Sequence, residues 1–264
     1  MPHAPANGID LYYERYGEGP RLLFLNGSGS SIATSELLIK LFTSDFEVVV
    51  HDQRGLGESE IPAGPYTMAD YAADAAALLD HVGWEHARVV GVSFGGMVAQ
   101  ELAVTWPARV ERLALLCTSP GGAGGASYPL HELAHLSEAE RSRKGTELLD
   151  SRFTAEWLDT HPSDRALADM MAARRRGTKT AAELRGEELQ LRARSEHDVC
   201  DRLVRITCPT LVACGRFDAI APPSNGEAIA ARVPNAELRL YDGGHAFFAQ
   251  DPMALPDVIG FLAR

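Results

Sequence analysis

The stretch from Val89 to Gly96 constrains the fold of this chain more than any other. An apolar run ends at Ser93, which has a glycine two residues before it and another two residues after it, and a helical pattern starts immediately afterwards. The pattern G-x-S-x-G between a strand and a helix predicts a sharp turn that holds the serine hydroxyl above the end of a sheet. At Gly91 and Gly95 a Cβ would crowd this turn, because neighbouring strands and the new helix pack there. The pattern is common in glycine-rich chains, so its meaning depends on what the rest of the sequence supplies.

Strand and helix patterns alternate on both sides of this turn. Such an alternation predicts right-handed crossovers and a parallel sheet. Helices are expected to begin near residues 36, 67, 94, 225 and 255. Strands are predicted over residues 9–16, 21–25, 46–50, 88–92, 110–117, 209–214 and 236–241. Residues 1–8 are polar and contain prolines, without the apolar segment of a signal peptide.

The alternation stops between residues 120 and 203. A glycine-rich stretch over 120–125 predicts a hinge, and the charged sequence after it has helical patterns and no convincing strand. We therefore expect a core of residues 1–119 and 204–264, interrupted by a helical cap of residues 120–203 that lies over the sheet.

Charge and composition exclude several kinds of partner. The chain has 264 residues and a formal net charge of -11, so nucleic acid and anionic membrane surfaces are poor partners. No apolar run approaches the ~20 residues of a membrane span. The four cysteines show no metal-ligand spacing, which favours reduced, buried thiols in a cytoplasmic protein.

A base and an acid for Ser93 can be sought in the loops that follow strands. Serine is a poor nucleophile unless a base lies within hydrogen-bond reach and an acid orients that base. In open parallel sheets, sites form beyond the carboxyl ends of the strands. Asp218 and His245 each follow a predicted strand, and the order Ser93, Asp218, His245 is that of nucleophile, acid and base. Asp242 is the nearest rival acid, and His51 follows a strand but stands in the wrong order.

The same chemistry needs two backbone N–H groups for the oxyanion. Phe94 directly follows the serine and begins a helix, so its amide is one expected donor. The other donor should come from the small-residue loop after strand 21–25, where we choose Ser28, with Gly27 as its rival. Loss of one such donor typically costs ~3–4 kcal/mol of transition-state stabilisation.

Several motifs, taken together, resemble one family. They are residues 26–29 (NGSG), 52–59 (DQRGLGES), 91–96 (GVSFGG), 215–218 (GRFD) and 244–245 (GH). Along nearly its full length the chain is similar to the α/β-hydrolases, and within them to the 3-oxoadipate enol-lactonase and non-haem haloperoxidase-like esterase group. This resemblance implies an α/β-hydrolase fold, with a mostly parallel eight-stranded sheet flanked by helices, a helical cap and no cofactor. Many members begin the first motif with His-Gly, whereas this chain has Asn26-Gly27.

These residues predict a serine hydrolase that cleaves a small carboxylic ester or lactone through an acyl-enzyme. Carbon–carbon bond hydrolysis and cofactor-free perhydrolysis on the same residues are alternatives. A small-molecule receptor with this fold is an alternative of another class. The expected partner is a small-molecule substrate, and self-association into a homo-oligomer is left open.

One further motif indicates different chemistry. Residues His131, Glu132 and His135 form H-E-x-x-H, the pattern of a zinc metalloprotease when it lies on an α-helix. No third ligand follows at a recognisable spacing, and the alternative interpretation is a solvated helix of the cap.

Other cap residues have two interpretations as well. The arginines at 174–176 could face the site and bind an acidic substrate, or could form a solvated helix face. Trp157, Met170 and Met171 could line an acyl pocket, or could pack the cap.

Overall fold

A computed structural model describes residues 2–174 and 179–264 of the chain. The strands in these residues are β1 His3–Ala6, β2 Ile9–Tyr16, β3 Arg21–Leu25, β4 Glu47–His51, β5 Ala87–Val92, β6 Val110–Leu116, β7 Thr210–Gly215 and β8 Ala236–Tyr241. The α-helices are α1 Ile32–Lys40, α2 Met68–His81, α3 Phe94–Thr105, α4 Glu138–Leu149, α5 Ala155–Thr160, α6 Pro162–Arg174, α7 Ala181–Ser195, α8 Pro223–Ala230 and α9 Ala254–Ala263.

The strands form one eight-stranded sheet in the order β1-β2-β4-β3-β5-β6-β7-β8. The pairs β1–β2 and β2–β4 are antiparallel, and the other neighbouring pairs are parallel. This confirms the predicted fold class, with helices on both faces of a mostly parallel sheet.

Strand β1 is an element that the sequence patterns did not predict. Residues His3–Ala6 pair with β2 at the edge of the sheet, and Ala4 and Ala6 are buried. Proline is tolerated there because an edge strand needs no ladder hydrogen bond on its outer side. Our interpretation of residues 1–8 as a merely polar start was therefore incomplete.

The central strands are buried on both faces, which explains why they read as continuous apolar runs. In β3, Leu22 and Phe24 pack in the cluster that includes α1 and α9, whereas Leu23 and Leu25 pack in the cluster that includes α2 and α3. Successive side chains of a strand point to opposite faces, so one strand supplies both cores.

Helix starts follow local capping chemistry. Thr67 and Asp70 form the capping box that begins α2. A second capping box, between Ser31 and Thr34, begins α1 at Ile32, four residues earlier than the apolar pattern predicted. The prediction was wrong there because it followed the apolar residues and overlooked the cap.

The register places four loops at one edge of the sheet. Leu25 at the end of β3 lies beside Gly91 in β5, and Gly215 at the end of β7 lies beside Tyr241 at the end of β8. Parallel strands that end together release their loops on the same side, so the loops after β3, β5, β7 and β8 are neighbours.

Residues 120–203, which we call the cap segment, hold helices and turns but no named strand within the described residues. The two ends of the segment lie side by side. Gly121 forms an isolated antiparallel bridge with Asp198, and the amide of Val199 donates a 2.9 Å hydrogen bond to the Pro120 carbonyl. Both chain crossings into the cap segment are thereby tied together at its base.

Within the residues that the structure describes, no helix combines the length and apolar character needed to cross a membrane. The four cysteines are buried and form no disulfide.

Candidate active site

Ser93 occupies the sharp turn between β5 and α3. Its backbone has φ 55° and ψ -114°, a left-handed conformation that is strained for a residue with a side chain. Two hydrogen bonds hold the turn: the Ser93 amide donates to the Leu116 carbonyl (2.8 Å), and the Thr118 hydroxyl donates to the Ser93 carbonyl (2.8 Å). The end of β6 therefore maintains the strain at Ser93.

The glycines around Ser93 are required by close packing. A Cβ on Gly91 would overlap the carbonyl of Gly95, and a Cβ on Gly95 would overlap the carbonyl of Leu25. The loop after β3 and the first turn of α3 thus lie against each other without room for side chains. This is the crowding that the sequence pattern predicts.

Ser93, His245 and Asp218 form one hydrogen-bonded chain. His245 Nε2 lies 2.9 Å from Ser93 Oγ, and His245 Nδ1 lies 2.8 Å from Asp218 Oδ2. The carboxylate is fully buried, whereas 14% of the imidazole side chain is exposed. The geometry assigns the Nδ1 proton to the bond with Asp218 and leaves Nε2 to accept from the serine hydroxyl.

The other oxygen of Asp218 is also occupied. Asp218 Oδ1 accepts hydrogen bonds from the amides of Ile220 and Ala221, both at 2.8 Å. These bonds fix the rotation of the carboxylate, so that Oδ2 stays directed at His245. Such an arrangement can orient a base and stabilise its protonated form.

The structure does not bring the rival acid or the rival base into hydrogen-bonding distance of Ser93 or His245. Asp242 pairs with Arg152 at 2.8 Å, and its side chain is 72% exposed. His51 is buried at the end of β4, where burial lowers its pKa to about 4. Neither side chain hydrogen-bonds to Ser93 or His245.

The loop after β3 lies beside Ser93. An added Cβ at Gly27 would lie 3.6 Å from the Ser93 Cβ. The amide of Gly29 is taken by Gln190 Oε1 of α7 at 2.8 Å, whereas the amides of Gly27 and Ser28 donate no hydrogen bond within the described residues. Phe94 is the first residue of α3, so its amide has no partner inside the helix. The amides of Gly27, Ser28 and Phe94, which the sequence predicts as candidate oxyanion donors, are therefore left without a hydrogen-bond partner in the residues that the structure describes.

A contact that the sequence did not reveal joins the His245 loop to the cap segment. The His245 amide donates a 2.6 Å hydrogen bond to the carbonyl of Leu149, the last residue of α4. The Gly244 amide donates to Gln250 Oε1 (2.9 Å), and Gln250 Nε2 donates to Asp150 (3.0 Å). The backbone around His245 is thereby held from the cap side.

The residues that follow α4 also hold the loop that carries Asp218. The Ser151 amide donates to the Phe217 carbonyl at 2.9 Å, and the Arg152 guanidinium lies 3.9 Å from the centre of the Phe217 ring. The Arg152 guanidinium also donates twice to Asp150, whose side chain is fully buried. No local pattern distinguishes Asp150 and Arg152 from the other charged residues of the cap segment.

The H-E-x-x-H motif does not lie on an α-helix. Residues Leu130–His135 form a 3₁₀-helix, in which side chains four positions apart differ by about 120° around the axis. His131 and His135 therefore do not share a face, and His131, Glu132 and His135 are exposed. No group of three histidine, cysteine or acidic side chains suited to a metal ion occurs in the described residues.

Of the other candidate residues of the cap segment, Trp157 and Met171 pack against neighbouring side chains and Met170 is exposed. Trp157 stacks on His161 with ring centres 3.7 Å apart, and its Nε1 donates to Asp164 at 2.7 Å. Met171 packs against an apolar cluster that includes Leu149, and Met170 is exposed. Residues 175 and 176 and the side chain of Arg174 lie outside the described residues, so the interpretation of the three arginines stays a prediction.

Comparison with known proteins gives the fold the same assignment. A family model described as the alpha/beta hydrolase fold matches residues 20–252. The chain is 30% identical over 259 residues to a relative named carbamate hydrolase RutD from Azorhizobium caulinodans, covering 96% of this chain and 94% of that one. It is 26% identical over 254 residues to 3-oxoadipate enol-lactonase 2 from Acinetobacter baylyi, covering 94% and 91%.

A solved structure has the same architecture. The enol-lactonase from Burkholderia xenovorans LB400 superposes with a TM-score of 0.82 at 23% identity, over 100% of both chains. The family model covers residues 20–252, and the first relative is 30% identical over 96% of the chain, so both comparisons support the same assignment. This chain belongs to the α/β-hydrolase fold family.

Proposed function

We propose that this protein is a serine hydrolase that cleaves a small carboxylic ester or lactone through an acyl-enzyme. The observation that carries the proposal is the chain of hydrogen bonds from Ser93 Oγ through His245 to Asp218, at a strained turn. A nucleophile, a base within 2.9 Å and an orienting acid are the minimum set for this chemistry.

In the first step His245 Nε2 takes the proton of the Ser93 hydroxyl while Oγ attacks the carbonyl carbon. The electron pair of the carbonyl moves to its oxygen. The amides of Phe94 and Ser28 then donate to this oxyanion, with Gly27 as the rival to Ser28. Asp218 stabilises the imidazolium through Oδ2 and does not itself take the proton.

The second half of the cycle reverses the proton transfer. The tetrahedral intermediate expels the alcohol, which leaves with the proton from His245 Nε2. His245 next removes a proton from water, and the hydroxide attacks the ester that links the acyl group to Ser93. Collapse of this intermediate releases the acid and returns the proton to Ser93 Oγ. Apart from the substrate and one water molecule, these steps use only side chains and amides of this chain.

Replacement of the nucleophile tests the proposal. In Ser93→Ala we expect loss of turnover on a simple aryl ester and loss of covalent labelling by a fluorophosphonate. Ser44→Ala is a matched control, because Ser44 is exposed and bonds only to its neighbour Asp45. Full activity in Ser93→Ala, or labelling at another residue, contradicts the mechanism.

A substrate panel separates the proposed activity from its alternatives. The relatives named above include a lactonase and a carbamate hydrolase, so the panel contains a lactone and a carbamate. It also contains aryl esters, a β-diketone, and an ester assayed with hydrogen peroxide as the acyl acceptor. Preferential cleavage of the β-diketone would favour carbon–carbon hydrolysis, and peracid formation would favour perhydrolysis. Release of many products per active site excludes a receptor without turnover.

The proposed enzyme acts on a small molecule in the cytoplasm. Four buried cysteines without disulfides suit a reducing compartment. Because the mechanism uses no metal, activity is expected to survive treatment with a chelator. Loss of activity that added zinc restores would favour the metalloprotease alternative instead.

A further inference from the structure

Arg194 is a buried arginine without a carboxylate partner. It lies near the end of α7 and is 4% exposed. Its Nη1 donates a 2.7 Å hydrogen bond to the Tyr128 carbonyl, and its Nε is buried with no partner. No other guanidinium nitrogen of Arg194 donates a hydrogen bond within residues 2–174 and 179–264. A buried cation normally has a hydrogen-bonded anion, because it has lost its hydration.

Asp218 is close enough for its charge to act on Arg194, but it does not fill that role. Burial lowers the pKa of Arg194 to about 10, and the charge of Asp218 opposes this shift. Both oxygens of Asp218 are already occupied, Oδ2 by His245 and Oδ1 by two backbone amides. The guanidinium therefore lies near the proposed acid while its own hydrogen-bonding capacity stays unused.

The free part of the guanidinium has a defined shape. Because Nη1 is bound to Tyr128, the edge formed by Nε and Nη2 is the one left without a hydrogen-bond partner in the described residues. This edge presents two parallel N–H groups, which match the two oxygens of one carboxylate. One negative charge would also balance the one uncompensated positive charge.

Gln190 joins the same face of α7 to the loop after β3. It lies one helical turn before Arg194 and is fully buried. Its Oε1 accepts from Gly29, next to the proposed oxyanion donor Ser28, while its Nε2 is buried without a partner. The face thus extends from the loop after β3 towards the acid loop after β7. In the sheet β5 lies between those strands, so the face crosses the edge from which Ser93 projects.

We propose that the Nε–Nη2 edge of Arg194 binds a carboxylate of the substrate, with the amide of Gln190 as a second donor. The preferred substrates are then esters or lactones that carry a carboxylate besides the acyl group that reacts with Ser93. The inference rests on the proposed function, since it assigns the group that Arg194 holds while Ser93 acts. Arg194 is a specificity-determining residue in this scheme and takes no proton.

Matched ester pairs test the inference. For the acyl side, the pair is the p-nitrophenyl monoester of glutaric acid and p-nitrophenyl pentanoate. For the alcohol side, the pair is 4-carboxyphenyl butyrate and phenyl butyrate. We expect the wild type to prefer the carboxylate member of at least one pair by ~10-fold or more in kcat/KM, chiefly through KM. The pair that shows the preference identifies which part of the substrate carries the carboxylate.

Variants assign the preference to Arg194. In Arg194→Met the ratio of kcat/KM between the preferred carboxylate ester and its neutral partner should fall ~30-fold to 100-fold. Arg194→Lys should lose ~5-fold to 10-fold, because it keeps the charge but not the planar fork. Arg192→Met is the matched control on the same helix, since Arg192 is exposed and pairs only with Glu196; its ratio should equal that of the wild type.

Two results overturn the inference. One is a wild type without preference in either pair. The other is an unchanged ratio in Arg194→Met, or in Arg194→Lys if the methionine variant does not fold; Arg194 then only supports Tyr128 or Asp218. Calorimetric binding of the glutaric and 4-carboxyphenyl esters to Ser93→Ala, with and without Arg194→Met, measures carboxylate recognition without turnover. Failure of the serine mechanism is detected by a separate measurement: the wild type would then not be labelled by a fluorophosphonate at Ser93.

Discussion

The amide of His245 donates a 2.6 Å hydrogen bond to the carbonyl of Leu149, so the cap segment directly holds the backbone of the proposed base. Asp150, the next residue, is buried and bonds to Arg152 and Gln250. Arg152 in turn lies over Phe217, beside the proposed acid. The cap segment therefore supports the loops of both the proposed base and the proposed acid.

Removal of Arg152 is expected to weaken this support. Arg152→Met leaves the carboxylate of Asp150 buried without its cation, which should cost about 2–4 kcal/mol of folding free energy. The thermal midpoint should fall by about 5–10 °C, and kcat should fall as the His245 loop loosens. Lys144→Met removes an exposed pair with Glu147 and should change stability by less than about 0.5 kcal/mol. Equal thermal midpoints for both variants would show that the network is not a support.

The two acidic candidates can be separated by their amide variants. Asp218→Asn keeps the shape but weakens the orientation and charge stabilisation of His245, so kcat should fall about 10³-fold to 10⁴-fold. Asp242→Asn should retain activity within about threefold, because Asp242 is exposed and does not contact His245. Steady-state kinetics on one aryl ester decides the assignment. A larger loss in Asp242→Asn would make Asp242 the acid.

The turn at Ser93 should not tolerate side chains at its glycines. Gly95→Ala places a Cβ against the carbonyl of Leu25, where rigid backbone cannot move aside. We expect loss of folded protein or of activity. Gly260→Ala is the control, because its Cβ meets open space in α9, and it should raise stability by about 0.5–1 kcal/mol. Circular dichroism melts and fluorophosphonate labelling measure both effects; a fully active Gly95→Ala would contradict the packing argument.

Stability should fall in mildly acidic solution. Burial lowers the pKa of both His51 and His197 to about 4, whereas an exposed histidine titrates near ~6.5. Below pH ~6.5 the unfolded chain takes up protons that the folded chain does not, so this stability is present above ~6.5 and is lost as the pH falls towards about 4. Each histidine should contribute a loss of about 1–2 kcal/mol between pH 7 and pH 5.

Urea unfolding at several pH values measures this dependence. His51→Asn should flatten the slope of unfolding free energy against pH, because the titrating group is absent. His131→Gln should leave the slope unchanged, since His131 is exposed. An unaltered slope in His51→Asn would show that His51 does not titrate on unfolding in the assumed way.

Local patterns predicted most of the elements at the sheet edge. Strands β2, β3 and β8 have the bounds that the apolar patterns indicate. Strand β1 was missed because two alanines separated by a proline form too weak a pattern to reveal edge pairing. The 3₁₀ conformation of His131–His135 was missed because H-E-x-x-H specifies spacing and not helix type. The catalytic roles of Ser93, Asp218 and His245 stay predictions that the kinetics above can test.

The sequence by itself determined the turn at Ser93, the alternation of strands and helices, and the chain order of the proposed nucleophile, acid and base. These depend on glycine, on apolar periodicity and on position after a strand, which are local properties. Only the tertiary structure decided that Arg152 supports the two loops and that Arg194 and Gln190 are buried with hydrogen-bond donors left unpaired. A charged helical sequence does not reveal which of its charges loses water, because burial depends on what packs against each face.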